Sequence, residues 1–114
     1  MKIVRVALAV PLPHLFDYLA PDDMPLPPGG RVWVPFGSQK RLAIVVELAA
    51  QSAMSAEKLK TVLEPLDEES LFAPIYWDWL HWAANYYHAP LGEVLSQALP
   101  VKLRQGESAV EKQK

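Results

Sequence analysis

Gly30-Arg-Val-Trp-Val-Pro-Phe-Gly-Ser-Gln-Lys-Arg-Leu-Ala-Ile-Val-Val-Glu-Leu48 is the stretch on which the fold turns. Arg31-Val-Trp-Val alternates polar and apolar residues, which predicts a strand. Pro35-Phe-Gly-Ser ends it in a tight turn, because proline lacks a backbone donor and glycine admits positive φ. Arg41 to Leu48 then runs back as the antiparallel partner. Upstream, Lys2 to Val10 is an incompletely alternating β-branched run that Pro11 and Pro13 stop, and Phe16-Asp-Tyr-Leu is a short second strand. Pro21 to Gly30 is a stiff, turn-rich connection. Downstream, Lys60-Thr-Val-Leu completes the β half. Five short strands with regular breaks favour a small antiparallel barrel or rolled sheet over a parallel α/β sheet.

The second half reads as helix. Between Pro74 and Tyr87, the residues Trp77, Leu80, Ala84 and Tyr87 fall on one stripe, with Pro74 suited to the first turn. His88-Ala-Pro breaks this helix, and Leu91 to Leu99 starts another. The predicted fold is therefore mainly β with α: a small, OB-like β-barrel subdomain over 1–65, then a helical subdomain over 66–105 packed on it. Residues 106–114 have no core-forming pattern and read as a disordered linker or tail.

Composition narrows the function classes. With 114 residues, 51% of them apolar, and a net charge of −2, a packed core is expected and a protein that coats duplex by charge alone is not. Residues 1–60 carry seven Lys/Arg against five Asp/Glu, and residues 61–114 four against eight, so only the front half suits nucleic acid. There is no cysteine, which removes disulfides, thiolate catalysis and cysteine-based metal sites. No apolar run is long enough for a membrane span, and a cytoplasmic setting is expected. His81 and His88 lie about 10 Å apart along one helix, too far for one metal ion. Gly29-Gly30 precedes a strand and cannot be a phosphate loop, and Ser38, Ser52 and Ser55 have no histidine near them in sequence. An enzyme active site is not expected. Trp77, Trp79, Trp82, Tyr86 and Tyr87 suit a core or subdomain interface better than a base-stacking platform.

Phe16-Asp17 and Gly37 stay ambiguous on the residues alone. A strand alternates its faces, so Phe16 could be core and Asp17 a turn cap. Alternatively the ring, the acid and a bare backbone corner could together grip a polymer end.

Pro11-Leu-Pro-x-x-Phe-Asp-Tyr18, Gly30-Arg-Val-x-Val-Pro-Phe-Gly37, Trp82-Ala-Ala-x-Tyr-Tyr-His88, Pro90-Leu-Gly-Glu-Val-Leu95 and Ala98-Leu-Pro100 occur in that order. Together they resemble the N-terminal domain of the bacterial replication-restart helicases, the PriA (primosomal protein N′) family, over residues 4–105. The likeness reaches only the front of those proteins; their winged-helix domain, ATPase lobes and cysteine-rich zinc insertion are expected elsewhere, with their ATP, Mg and Zn. In that family this domain recognises the 3′ end of the nascent leading strand at a stalled fork. The resemblance implies a site made of Phe16, Asp17, Gly37 and Lys60, with no cofactor. It also implies as partners a DNA 3′ terminus, the remaining domains of the parent helicase and other primosome proteins. The alternative is a protein-interaction module that docks those proteins through its aromatic helical face. An end-reading pocket requires Phe16 and Asp17 to be accessible beside Gly37.

Overall fold

A computed structural model describes residues 1–10, 14–52, 56–100, 103 and 106. The chain forms β1 (Lys2–Leu8), β2 (Phe16–Ala20), β3 (Arg31–Phe36), β4 (Gln39–Ala49), a 3-10 turn (Ala56–Lys58), β5 (Glu64–Pro65), α1 (Pro74–Tyr86) and α2 (Leu91–Ala98). The strands make one antiparallel sheet in the order β2-β1-β4-β3-β5. The expected helices fall within a residue of their bounds. The prolines expected to stop β1, and the tail from 106 except Gly106 itself, lie outside the described residues. Gly106 is packed close on the Trp33 ring, so the chain is still engaged where a tail was expected to begin.

The sheet rolls because its two edges share one closing segment. On one side Leu19 N donates to Lys60 O, and Val62 N donates to Leu19 O. On the other, Leu63 N donates to Trp33 O and Leu66 N to Arg31 O. Residues 60–63 were expected as a strand of their own. They form a single parallel bridge to β2, and the short β5 follows at 64–65. Few backbone groups at either edge are left to pair elsewhere.

Pro35 was expected to end β3, yet the strand continues through Phe36. The carbonyls of Arg31 and Trp33 face the closing segment, so Pro35 N faces the same way. β5 pairs only Val32 and Trp33, and no ladder bond is lost there. The turn is then Gly37-Ser38 alone, with Phe36 paired to Gln39. Gly37 has φ +64°, and among the described residues only His88 is a non-glycine with positive φ. A left-handed first loop residue followed by an ordinary one matches a type II′ hairpin, whose twist suits the flanking strands.

Val4, Val6, Tyr18, Val32, Val34 and Val45 fill the barrel interior. Ala7 and Ile44 point the other way, into a second cluster with Phe72, Leu80, Leu95 and Leu99 that seats the helices on β1 and β4. This two-sided burial is why β1 alternates incompletely. Gly92 brings α2 onto β1 so closely that an added Cβ would lie 1.6 Å from Leu8 O.

Arg31, a polar residue of the alternating strand, is 1% exposed. Asp67 accepts from Arg31 Nε at 2.7 Å and Nη2 at 2.8 Å, and from Arg31 N at 2.9 Å. Arg31 Nη1 also donates to Leu103 O at 2.8 Å. The aromatic group of α1 was expected to be buried. Only Trp77 turns inward, against Phe72 and His81. Trp79, Trp82, Tyr86 and Tyr87 are 54%, 54%, 61% and 70% exposed. The difference lies in what α1 buries instead, Leu80, Ala83 and Ala84, and among the described residues no further layer covers its outer side. Tyr87 leaves the expected stripe because the helix ends at Tyr86, with His88 taking the left-handed conformation and Ala89 N bonding back to Ala84 O.

Candidate nucleic-acid interface

Phe16, Asp17, Gly37 and Lys60 line one cleft of about 440 Å³ at the mouth of the barrel. Tyr18 does much to assemble it. Its ring is buried in the barrel, and its hydroxyl donates to Pro35 O at 2.9 Å, tying β2 to a strand that is not its neighbour in the sheet. Burial also raises the Tyr18 pKa, so the hydroxyl keeps its proton. The bond holds Phe16-Asp17 opposite Phe36-Gly37. Such a hydrogen bond contributes about 1 kcal/mol.

Each expected residue takes a defined place. Phe16 is half-buried and meets Phe36 edge-on with ring centres 5.5 Å apart, while exposed His14 leans on it at 4.8 Å. Phe16 is thus partly core, yet one side still faces the cleft. Gly37 is exposed, and a Cβ there would meet nothing within 4 Å. Glycine is required for its backbone conformation, and the space above it is open. Lys60 is exposed and, with Lys58, forms a rim on which no carboxylate is paired among the described residues. On the opposite lip the Arg41 guanidinium lies over the Phe36 ring at 5.8 Å.

Asp17 is neither a turn cap nor a lone acid. Arg5 on β1 is its cross-strand partner and also that of Glu47 on β4. Arg5 Nε donates to Asp17 Oδ1 at 2.9 Å, Arg5 Nη1 to Glu47 Oε2 at 2.8 Å, and Arg5 Nη2 to Gln51 O at 3.4 Å. Ser52 Oγ donates to Asp17 Oδ2 at 2.6 Å. The Asp17 side chain is left 14% exposed. Burial alone pushes its carboxyl up. The hydrogen bonds from Arg5 and Ser52, with the Arg5 charge, outweigh that and hold its pKa below the ordinary 3.8. Asp17 is therefore a fixed anion with a small exposed edge. A carboxylate offers about four acceptor positions, and its own protein does not fill them all.

Sequence reasoning missed Arg5, and set Ser52 aside for want of a histidine. A signal for Arg5 did exist: opposite charges paired across strands stabilise a sheet. Placing it needed the β1–β2 register, which is not local. The β-bulge between Arg5 and Val6, with Val46 as the extra residue on β4, also helps set Glu47 opposite Arg5.

A second hollow, of about 300 Å³, lies between the β3–β4 hairpin and α2, lined by Trp33, Lys40, Arg41, Gly92 and Ser96. Lys40 Nζ sits 4.7 Å above Trp33. Among the described residues that line this hollow there is no carboxylate. Among the described residues there is no group of three or more His, Asp or Glu able to hold a metal, and no helix long and apolar enough to cross a membrane.

The family profile of the PriA 3′DNA-binding domain (3′BD) matches residues 5–100. The chain belongs to the PriA 3′BD family. It is similar to the replication restart protein PriA of Haemophilus influenzae, at 69% identity over 96% of this chain and 15% of that protein. It is also similar to the proteins of that name from Buchnera aphidicola (subsp. Acyrthosiphon pisum), at 35% identity over 88% of the chain and 14% of the relative, and from Synechocystis, at 36% over 87% and 12%. The chain thus spans about 15% of the length of the Haemophilus relative. The matched stretch is a DNA-binding domain and not a motor, and the 3′BD profile takes in Phe16, Asp17, Gly37 and Lys60.

Proposed function

We propose that this 3′BD domain grips the 3′-hydroxyl end of a DNA strand without reading its sequence, and so positions a replication-restart helicase at the nascent leading strand of a stalled fork. One observation carries the reading: a carboxylate held charged by Arg5 shares a cleft with an aromatic edge, an open glycine corner and two lysines that pair with no carboxylate among the described residues. Asp17 accepts from a terminal hydroxyl, and a 3′-phosphate at the same place meets a fixed negative charge. Phe16 supports the last sugar or base whichever base is present, and Gly37 lets the backbone come close. Lys58 and Lys60 meet the phosphates behind the end and give modest, salt-sensitive affinity.

Fluorescence anisotropy with short single strands tests this. A 3′-OH oligonucleotide is expected to bind more tightly than its 3′-phosphate twin, and exchanging the last base among A, C, G and T to change affinity little. Because Asp17 is held below 3.8, it stays charged from about pH 8 to pH 5, where only the second ionisation of the 3′-phosphate, at about pH 6, alters the preference; the Asp17 share disappears as the pH falls through the depressed value. The Asp17–Arg5 contribution to folding has the same sign: present above the unfolded-state value and lost as the pH falls through the folded one. Equal binding of the two ends at neutral pH contradicts the reading.

The exposed outer side of α1 favours a second, compatible role as a docking surface for other parts of the replication machinery. Tyr76 stacks on Trp79 and Trp82 on Tyr86, with interplanar angles of 10° and 16°. The relatives are far longer than the matched stretch, so the remainder of the parent protein is the occupant to test. Amide exchange along α1 should slow when this domain is part of the full-length protein; identical exchange in the two contexts argues against docking.

A further inference from the structure

The carboxylate that the proposed function needs already holds a hydroxyl of its own protein. We propose that Ser52 is a stand-in for the DNA terminus: its side-chain O–H occupies Asp17 Oδ2 in the free domain and yields that position to an incoming 3′-hydroxyl. This inference rests on the end-reading role of the cleft.

The two oxygens of Asp17 are held by unequal means. Oδ1 accepts from Arg5 Nε at 2.9 Å, and Arg5 is braced from the far side by Glu47 at 2.8 Å and by the Gln51 carbonyl at 3.4 Å. Releasing Oδ1 would break several contacts across three strands. Oδ2 accepts from Ser52 Oγ at 2.6 Å, while its contact to Arg5 Nη2 is long, at 3.5 Å. Ser52 lies beyond the end of β4 and itself lines the cleft. A serine hydroxyl turns away by rotation about one bond, with no change in the sheet.

Chemical likeness makes the exchange cheap. An aliphatic O–H leaves a carboxylate oxygen and another arrives, so the number and kind of hydrogen bonds on Asp17 are unchanged. A 3′-phosphate brings no such donor when ionised. Ser52 thereby keeps the cleft satisfied while empty and lowers the affinity for the right end, so that grip is reversible. Arg5 acts as a positioning residue in both states.

The test uses the full chain and two otherwise identical short single strands, one ending in a 3′-hydroxyl and one in a 3′-deoxy (dideoxynucleotide) terminus. Ser52→Ala should bind the 3′-hydroxyl strand more tightly than wild type, by roughly five- to 150-fold, the range for restoring one hydrogen bond to a charged acceptor. Its affinity for the 3′-deoxy strand should be unchanged. Ser52→Thr, which keeps the hydroxyl, should behave as wild type. Thermal melts of both variants report whether the loop still folds. Weaker 3′-hydroxyl binding by Ser52→Ala would make Ser52 a direct DNA contact and overturn the proposal, as would an equal change on both strands. If neither wild type nor Ser52→Ala distinguishes the two strands, the end-reading role itself fails. That outcome differs from a Ser52→Ala that prefers the 3′-hydroxyl strand to the same degree as wild type, which overturns the Ser52 proposal alone.

Discussion

Asp67→Ala is expected to destabilise the domain by about 3–5 kcal/mol, the cost of breaking one partner out of a buried ion pair. The Arg31 side chain has no solvent exposure and that of Asp67 only 8%. Two guanidinium nitrogens and the Arg31 backbone N–H all converge on the Asp67 carboxylate. Removing it leaves a charge with no route to water, since the long side chain is enclosed by the barrel seam, the closing segment and the chain at Leu103. In a domain of this size each kcal/mol moves the melting temperature by roughly 4 °C or more, so a fall of more than about 12 °C should appear in a circular-dichroism melt. Replacing both partners with apolar residues, Arg31→Met with Asp67→Leu, should recover much of the loss, because the desolvation cost disappears with the charges. A single-variant loss under about 1 kcal/mol would mean that the pair is solvated and does not lock the seam.

Asp17→Ala has the second large effect, and it falls on binding. Affinity for a 3′-hydroxyl end should drop by about 1–3 kcal/mol, or roughly five- to 150-fold, as a hydrogen bond to a charged acceptor is lost. Affinity for a 3′-phosphate end should rise, because Arg5 loses the partner nearest the cleft and its cation then faces the phosphate. The end preference should therefore shrink or invert. Glu47→Ala is the matching control: it removes the other Arg5 partner while leaving the acceptor in place, and the preference should survive.

Much of this architecture was legible because it is written in short-range signals. Alternation at Arg31-Val-Trp-Val, the Gly37-Ser38 turn and the run to Leu48 located the central hairpin, and Pro74 located the start of α1. What escaped depends on contacts between distant residues. The rolled sheet is closed by backbone bonds from 60–66 to two strands far away in sequence, and nothing in Lys60-Thr-Val-Leu announces two different neighbours. Alternation marked Arg31 as part of a strand but could not show that Asp67 pairs with it. The outer aromatics of α1 were placed inside because area alone favours burying them. The side chains that α1 buries are instead Leu80, Ala83 and Ala84, and its main neighbour is α2.

The candidate site divides in the same way. Phe16, Asp17 and Gly37 stood out from local residue chemistry sharpened by family resemblance, and Lys60 from resemblance alone. Arg5 and Ser52 depended on register and on a loop crossing, and they change the chemistry most. They turn an isolated carboxylate into a braced anion with one firmly held oxygen and one exchangeable one.

The most direct measurement is a binding cycle with wild type and Asp17→Ala against matched oligonucleotides ending in 3′-hydroxyl and 3′-deoxy. A coupling of at least about 1 kcal/mol between the carboxylate and the terminal hydroxyl is expected, with the variant blind to the difference between the two ends. If both proteins show the same ratio of affinities for the two strands, Asp17 does not contact the terminal hydroxyl, and the cleft does not read DNA ends by this means.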